Sequence, residues 1–375
     1  MRSDPVRRGI VWRNVYIHIP FCAAKCGYCA FYSLPGAGSA LRAAFLDKLA
    51  HDLERTEFAA PAETLYLGGG TPNYLSAREL ERLTGILRAS VPLAPDAEVS
   101  CELNPELLTP EKWDILGAFI TRASLGVQSF SALLRDKLQR HCRDRALEQA
   151  LALLRDRPPR HWNCDLIYGI AGSAPGDWER DLELASRSGA DHLSCYALTP
   201  EENSRLGLAG APVQSDEAQA EQWLATGEIL ARRGFLRYEI SNYAQAGAEC
   251  RHNRNVWQGQ TLLAFGPAAS GFDGRDRWTE TPDLTRWLSG APPEIDRIAP
   301  EHREAEIFAV NLRTARGWTP ELWGDARRVR WEDWQRRAAH LREANPAWWV
   351  VTPERIALTE AGLLFWDSVA EALLP

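Results

Sequence analysis

The sequence predicts an α/β fold: a partial (β/α)6 barrel followed by a small winged-helix-like domain. Three observations carry this reading. Short apolar or β-branched runs alternate six times with segments of helical period over residues 1–235. Strand followed by helix, repeated, implies a parallel sheet with right-handed crossovers. Six such units make three quarters of an eight-unit barrel, and an open barrel leaves a gap for a large substrate.

The six strand-like runs are VYIHIPF (15–21), TLYLGGG (64–70), EVSCELNP (98–105), ITRASLGVQSF (120–130), HWNCDLIYGI (161–170) and HLSCYALT (192–199). Helical segments fall at 41–57, 76–89, 110–118, 143–156, 178–188 and 215–233, several opening on a Ser, Thr or Asp cap. The rhythm then stops. Residues 236–299 are rich in Gly, Asn and aromatics without a clear period and read as a covering segment. Residues 300–375 begin with the helical PEHREAEIFAVNLRT, pass through a Trp-rich helical region and end in WWVVTPERIALTEAGLLFWDSVAEALL, which reads as strand, turn, strand and a Thr-capped helix. Such a domain often binds DNA, but acidic and basic residues are interspersed here, so a packing or lid role is expected.

A chain of 375 residues with 45% hydrophobic content can build a substantial core. The formal charge of −7 gives no basic excess for phosphate backbones, and nucleic acid is not an expected partner. MRSDPVRRGIVWRNVYIHIPF has no apolar run of signal-peptide length, and no segment offers about 20 apolar residues to span a bilayer. A cytoplasmic setting is expected, which would keep the eight cysteines reduced. Five of them (101, 142, 164, 195, 250) are scattered, several in strand-like runs where a small buried thiol is ordinary.

The other three are clustered. Cys22, Cys26 and Cys29 stand in YIHIPFCAAKCGYCAFYS, at spacings of four and three, at the end of the first strand. A [4Fe-4S] cube in an electron carrier takes one thiolate per iron. Three thiolates leave one iron with an open position, where a small molecule can bind. The alternative is a zinc site completed by His18 or a remote cysteine.

CxxxCxxC in this position resembles the radical S-adenosylmethionine (SAM) enzymes. With its flanks, YLGGGTP, LGVQSF, DLIYGI and YEISNYA...CRHN, the chain from about residue 15 onward is similar to the oxygen-independent coproporphyrinogen III oxidase group. The resemblance implies that SAM chelates the open iron and that the cofactors carry the radical chemistry. It assigns Gly68, Gly69, Gly70 and Thr71 to the methionyl end of SAM, Glu102 to the ribose hydroxyls, and Gln128, Arg140 and Asp165 to further SAM contacts. Tyr16 and Tyr28 flank the thiols and would shield the cluster or stack near the ligand.

Two departures bear on activity. True oxidases of the group carry a further cysteine where this chain has Phe31, and a longer segment ahead of the cluster motif. CAFYS and HNRNVW are instead similar to a sister group of haem chaperones, which implies haem as cargo, a haem acceptor protein and possible supply of electrons by a reductant protein. His252, taken to lie in an irregular segment open to a planar ligand, is the expected axial ligand, with Cys250 nearby. Val256 replaces the tyrosine of the chaperone pattern HNxxYW. On the alternative readings, Cys250 to Trp257 only closes the barrel, or the protein is a radical SAM enzyme acting on a tetrapyrrole.

Overall fold

The computed structural model describes residues 9–374. The opening MRSDPVRR, read above for a leader segment, lies outside them.

Six strands form the centre of one sheet: β1 (Asn14–Ile19), β2 (Ala62–Gly69), β3 (Leu93–Leu103), β4 (Arg122–Gln128), β5 (His161–Tyr168) and β6 (His192–Ala197). They pair in chain order and all in parallel. The helices between and after them include α1 (Ser39–Glu54), α2 (Ala77–Ser90), α3 (Pro110–Gly117), α4 (Ala132–Lys137), α5 (Asp144–Asp156), α6 (Asp177–Ser186) and, beyond β6, α7 (Asp216–Ala231). Their starts are chemically marked. Ser76 and Glu79 form a reciprocal capping box on α2, while Thr109 and Ser215 cap α3 and α7 through their hydroxyls. Leu80, Leu83 and Leu87 bury one stripe of α2, at the three- and four-residue spacing that seats a helix on a sheet.

The covering segment does more than cover. It adds β7 (Leu236–Arg237) and β8 (Asn242–Ala244) antiparallel beyond β6, then crosses to the other edge. There β9 (Leu262–Phe265) runs parallel to β1, and β10 (Ser270–Phe272), β11 (Arg277–Thr279) and β12 (Glu294–Asp296) continue outward. The result is a 12-stranded sheet in the order β12-β11-β10-β9-β1-β2-β3-β4-β5-β6-β8-β7. Among the described residues no pairing joins its two edge strands, so the barrel is partial. Between β8 and β9 lies a short helix, α8 (Arg251–Trp257).

The C-terminal part packs α9 (Pro300–Asn311) and α10 (Trp331–Ala344) with a hairpin of β13 (Trp349–Thr352) and β14 (Arg355–Leu358), then α11 (Glu360–Leu363), capped by Thr359, and α12 (Trp366–Leu373). Its tryptophans are core. Phe308 stacks on Trp334 with ring centroids 4.0 Å apart, and Trp318 and Trp323 meet the same ring. No described helix is long and apolar enough to cross a membrane.

Candidate functional site

The C-terminal ends of β1–β6 surround a cavity of about 610 Å³. Its mouth is the loop that follows β1. Cys22 is buried and Cys26 and Cys29 are half-buried, and all three border the cavity. The loop is held at its base by the Gly27 amide, which donates to the Leu138 carbonyl (3.0 Å), and by the Leu206 amide, which donates to Gly27 (2.8 Å). The Cys22 sulfur lies 3.4 Å from the Thr71 hydroxyl, and Arg140 Nη1 donates to the Cys26 sulfur at 3.4 Å. Burial pushes the Cys22 and Cys29 thiols up.

His18 is not available as a fourth ligand for zinc. Its Nε2 is 2.9 Å from the Tyr32 carbonyl and its Nδ1 is 3.1 Å from the Tyr16 hydroxyl. Among the described residues no three His, Cys, Asp or Glu side chains converge on one metal-ion position. A cube asks for a different arrangement, with each thiolate on its own iron.

The glycine run ends β2 and packs closely against the end of β1. Gly69 has φ +104°, and a Cβ there would meet the His18 ring at 2.5 Å. A Cβ on Gly70 would strike the Ile19 and Phe21 backbone at 2.8 Å. The glycines therefore let β2 and the thiol loop approach each other. Gly69, Gly70 and Thr71 border the cavity, whereas Gly68 is set against Glu102, 2.9 Å from Oε1 to the position of a Cβ.

Glu102, from β3, borders the cavity deep inside the molecule. It accepts from the Tyr66 hydroxyl (3.0 Å) and the Gly69 amide (3.1 Å). Burial and the facing charge of Asp165 push its carboxyl up to about 7, against the pull of those two donors. Asp165, from β5, is pushed up to about 6 by burial, although Ser124 (3.0 Å) and Asn163 (2.6 Å) donate to it. Two half-buried carboxylates thus face one cavity.

Gln128 is the last residue of β4, and Arg140 follows α4. The sheet register slips between Gly126 and Gln128, and Gln128 has φ +69°, a left-handed conformation unusual for a side chain of its size. Such strain gathers at ligand sites. The slip directs Gln128 to the cavity wall beside Arg140, whose Nη2 donates to the Gly126 carbonyl at 2.8 Å. The Nε of Arg140 is buried and has no protein partner. A buried guanidinium N–H without an acceptor, next to the thiol loop, fits an anionic group brought in by a ligand. Tyr28 also borders the cavity. Tyr16 does not: it packs on Tyr66 and bonds His18.

His252 stands elsewhere. The expectation of an irregular segment is corrected, because Arg251–Trp257 is a helix and His252 is buried in its first turn. Glu98 makes the helix possible: its carboxylate accepts from the Arg251 (3.1 Å) and His252 (2.9 Å) amides, the helix N-terminal donors that lack an internal partner. Arg122 pairs with the same carboxylate at 2.9 Å, the two side chains being only 4% and 8% exposed. The His252 Nδ1 is 2.7 Å from the Thr64 hydroxyl, and Asn255 donates to Asn14 Oδ1 at 2.9 Å. Asn14 and Thr64 lie toward the starts of β1 and β2, and Glu98 of β3 pairs in register with Thr64, so α8 crosses the floor of the barrel, at the opposite end from the thiols. Val256 is half-buried on this helix, and Cys250 borders the cavity from below.

Sequence reasoning missed the polar inner face between floor and thiols. Tyr238, His192, Asn163 and Asp165 form a continuous hydrogen-bonded chain, with steps of 2.8, 2.8 and 2.6 Å. The signal was present: Asn163 and Asp165, like His192 and Ser194, alternate with apolar residues along their strands and therefore share the inward face.

Comparison with known proteins identifies the family. Residues 16–185 match the model of the Radical SAM superfamily. The haem chaperone HemW of Mycobacterium tuberculosis is 34% identical over 380 aligned residues, covering 96% of this chain and 94% of the relative. HemW of Escherichia coli is 33% identical, covering 80% of this chain and 82% of the relative. Among solved structures, the coproporphyrinogen III oxidase HemN of Escherichia coli, a radical SAM enzyme, superposes with a TM-score of 0.83 at 20% identity, over 98% of this chain and 91% of that one. That likeness establishes the fold.

Proposed function

The chain belongs to the haem chaperone (HemW) family of the radical SAM superfamily, and from that premise we propose that Cys22, Cys26 and Cys29 hold the [4Fe-4S] cluster, that SAM binds beside it, and that haem is the cargo, passed to an acceptor protein. The observation that carries the reading is the match to haem chaperones at 34% identity over 96% of the chain. The bound cluster would supply a reducing electron and an iron with a free coordination position.

The chain's own residues have distinct tasks. Thr71, 3.4 Å from the Cys22 sulfur, donates to that thiolate and steadies its charge. Arg140 offers its partnerless Nε to the SAM carboxylate. Glu102 accepts from the ribose hydroxyls, exchanging the Tyr66 or Gly69 donor for them. Gln128 and Asp165 complete the polar wall, and Gly68, Tyr16 and Tyr28 support it from behind and beside. A reducing cytoplasm and a reductant protein would keep the cluster in use. His252 would reach haem as an axial ligand only if α8 left Glu98 and Thr64.

A second reading, a radical SAM enzyme acting on a tetrapyrrole, draws on the cavity itself, which Gly69, Gly70, Thr71, Glu102, Gln128, Arg140 and Asp165 all border. Anaerobic reconstitution followed by hemin titration separates the two. The chaperone reading expects one hemin per chain and release to an apo haem protein. No hemin binding would contradict it.

A further inference from the structure

The mouth of the cavity carries an apolar surface that neither the cluster nor SAM uses. Phe31 borders the cavity and is nevertheless 69% exposed, two residues after Cys29. The small side chains Ala24, Ala30 and Ala197 border the same cavity. The strap 203–208 runs along the outside of the thiol loop. Asn203 donates to the Ala30 carbonyl (3.4 Å), Arg205 donates to the Lys25 carbonyl, and Leu208 on this strap is 77% exposed. Isolated exposed apolar residues need no explanation, but an exposed aromatic ring and small side chains bordering one cavity offer an apolar face to a flat ligand.

The lip also has a free charge. Of the three cationic residues that border the cavity, Arg122 and Arg140 are buried and engaged with Glu98 and with Gly126 and Cys26. Lys25 sits half-exposed on the thiol loop, and among the described residues it makes no ion pair. Glu201 is the acidic residue of the mouth. Haem is a planar apolar ring with two carboxylates on one edge, which matches an apolar face with a lysine beside it.

We infer that haem docks on this lip, its ring face against Phe31 and the alanines and a propionate on Lys25, with the cavity below left to SAM. The inference rests on the haem-binding reading given above. It places the cargo at the thiol end of the barrel and leaves α8, at the floor, as a structural element.

Hemin titrations of the anaerobically reconstituted full-length chain test it, with the iron–sulfur absorbance of each variant as the check on folding. Phe31→Ala should weaken hemin about tenfold, roughly the value of an aromatic face lost from an apolar contact. Phe31→Trp should bind as the wild type does. Lys25→Glu should weaken hemin by about tenfold as well. Leu224→Ala, which removes an exposed apolar side chain on α7, should change nothing and so controls for indiscriminate adsorption. Wild-type affinity in both Phe31→Ala and Lys25→Glu, or a loss confined to His252→Ala, overturns the lip site alone. A wild-type protein that binds no hemin overturns the haem-binding reading and the lip site with it.

Discussion

The Thr64 hydroxyl lies 2.7 Å from Nδ1 of His252, a bond between the start of β2 and the helix that closes the barrel floor. Burial lowers the imidazole to about 4, so the ring is neutral across the physiological range. A His whose folded value is depressed favours the folded state fully above its unfolded value near 6.5, and that contribution is lost as pH falls through about 4.

His252→Ala should therefore lower stability by about 2 kcal/mol at pH 7, through an emptied site and an unpaired Thr64. It should also make acid unfolding between pH 6.5 and 4 shallower than in the wild type. Denaturant titrations across that range, read by tryptophan fluorescence, would show both. An unchanged midpoint at pH 7 would mean the floor helix does not depend on this contact.

Glu98 carries more. It satisfies two helix amides and the Arg122 guanidinium in a buried setting. Glu98→Ala leaves a buried cation and two donors unpaired, and should cost about 3–5 kcal/mol. The same variant should expose α8 to hydrogen exchange while the central strands stay protected. Uniform loss of protection would instead show that the floor and the sheet open together.

Replacing Cys22, Cys26 or Cys29 by Ala should remove the brown iron–sulfur absorbance and the paramagnetic signal seen on reduction. Cys250→Ala and Cys142→Ala should retain both. A triple variant at 22, 26 and 29 that still holds four irons would refute the ligand assignment.

SAM affinity should depend on pH through Glu102 and Asp165, which are pushed up to about 7 and about 6. Carboxylic acids with raised values hold their protons into the neutral range, whereas a cationic ligand with donor hydroxyls favours the ionised forms. Affinity should rise between pH 6 and 8, with proton uptake by buffer accompanying binding near pH 6.5. Glu102→Gln should weaken SAM at pH 8 by about tenfold and flatten the profile. Calorimetry in buffers of different ionisation enthalpy measures the protons released, and equal heats in all of them would contradict the linkage.

The central sheet was legible because its signals are local. Each of the six strand runs, such as DLIYGI with its buried Leu166 and Ile167, is followed by a helical segment, several of them opened by Ser, Thr or Asp, and the resulting βα rhythm leaves little topological choice. The thiol loop was legible because ligand spacing within eight residues needs no fold. The edge strands were not. Leu236–Arg237 is only two residues long, and the four-residue Leu262–Phe265 pairs with β1, far back in the sequence. Gln128 shows a second kind of limit. Its φ of +69° follows from a register slip against β5, and nothing in LGVQSF marks that slip. His252 shows a third. An imidazole between an Asn-rich string and a Trp looks available in sequence, and only the Glu98 carboxylate, 154 residues away, turns the string into a buried helix.

A haem chaperone carries haem without consuming porphyrinogen, and one preparation can show both. Coproporphyrinogen III, SAM and a strong reductant, added anaerobically to cluster-loaded protein, should leave the porphyrinogen intact by mass spectrometry, while hemin added to the same preparation binds one per chain with the iron–sulfur absorbance unchanged. Loss of two carboxyl groups from coproporphyrinogen, in an amount exceeding the protein present, would contradict the chaperone reading in favour of a tetrapyrrole enzyme.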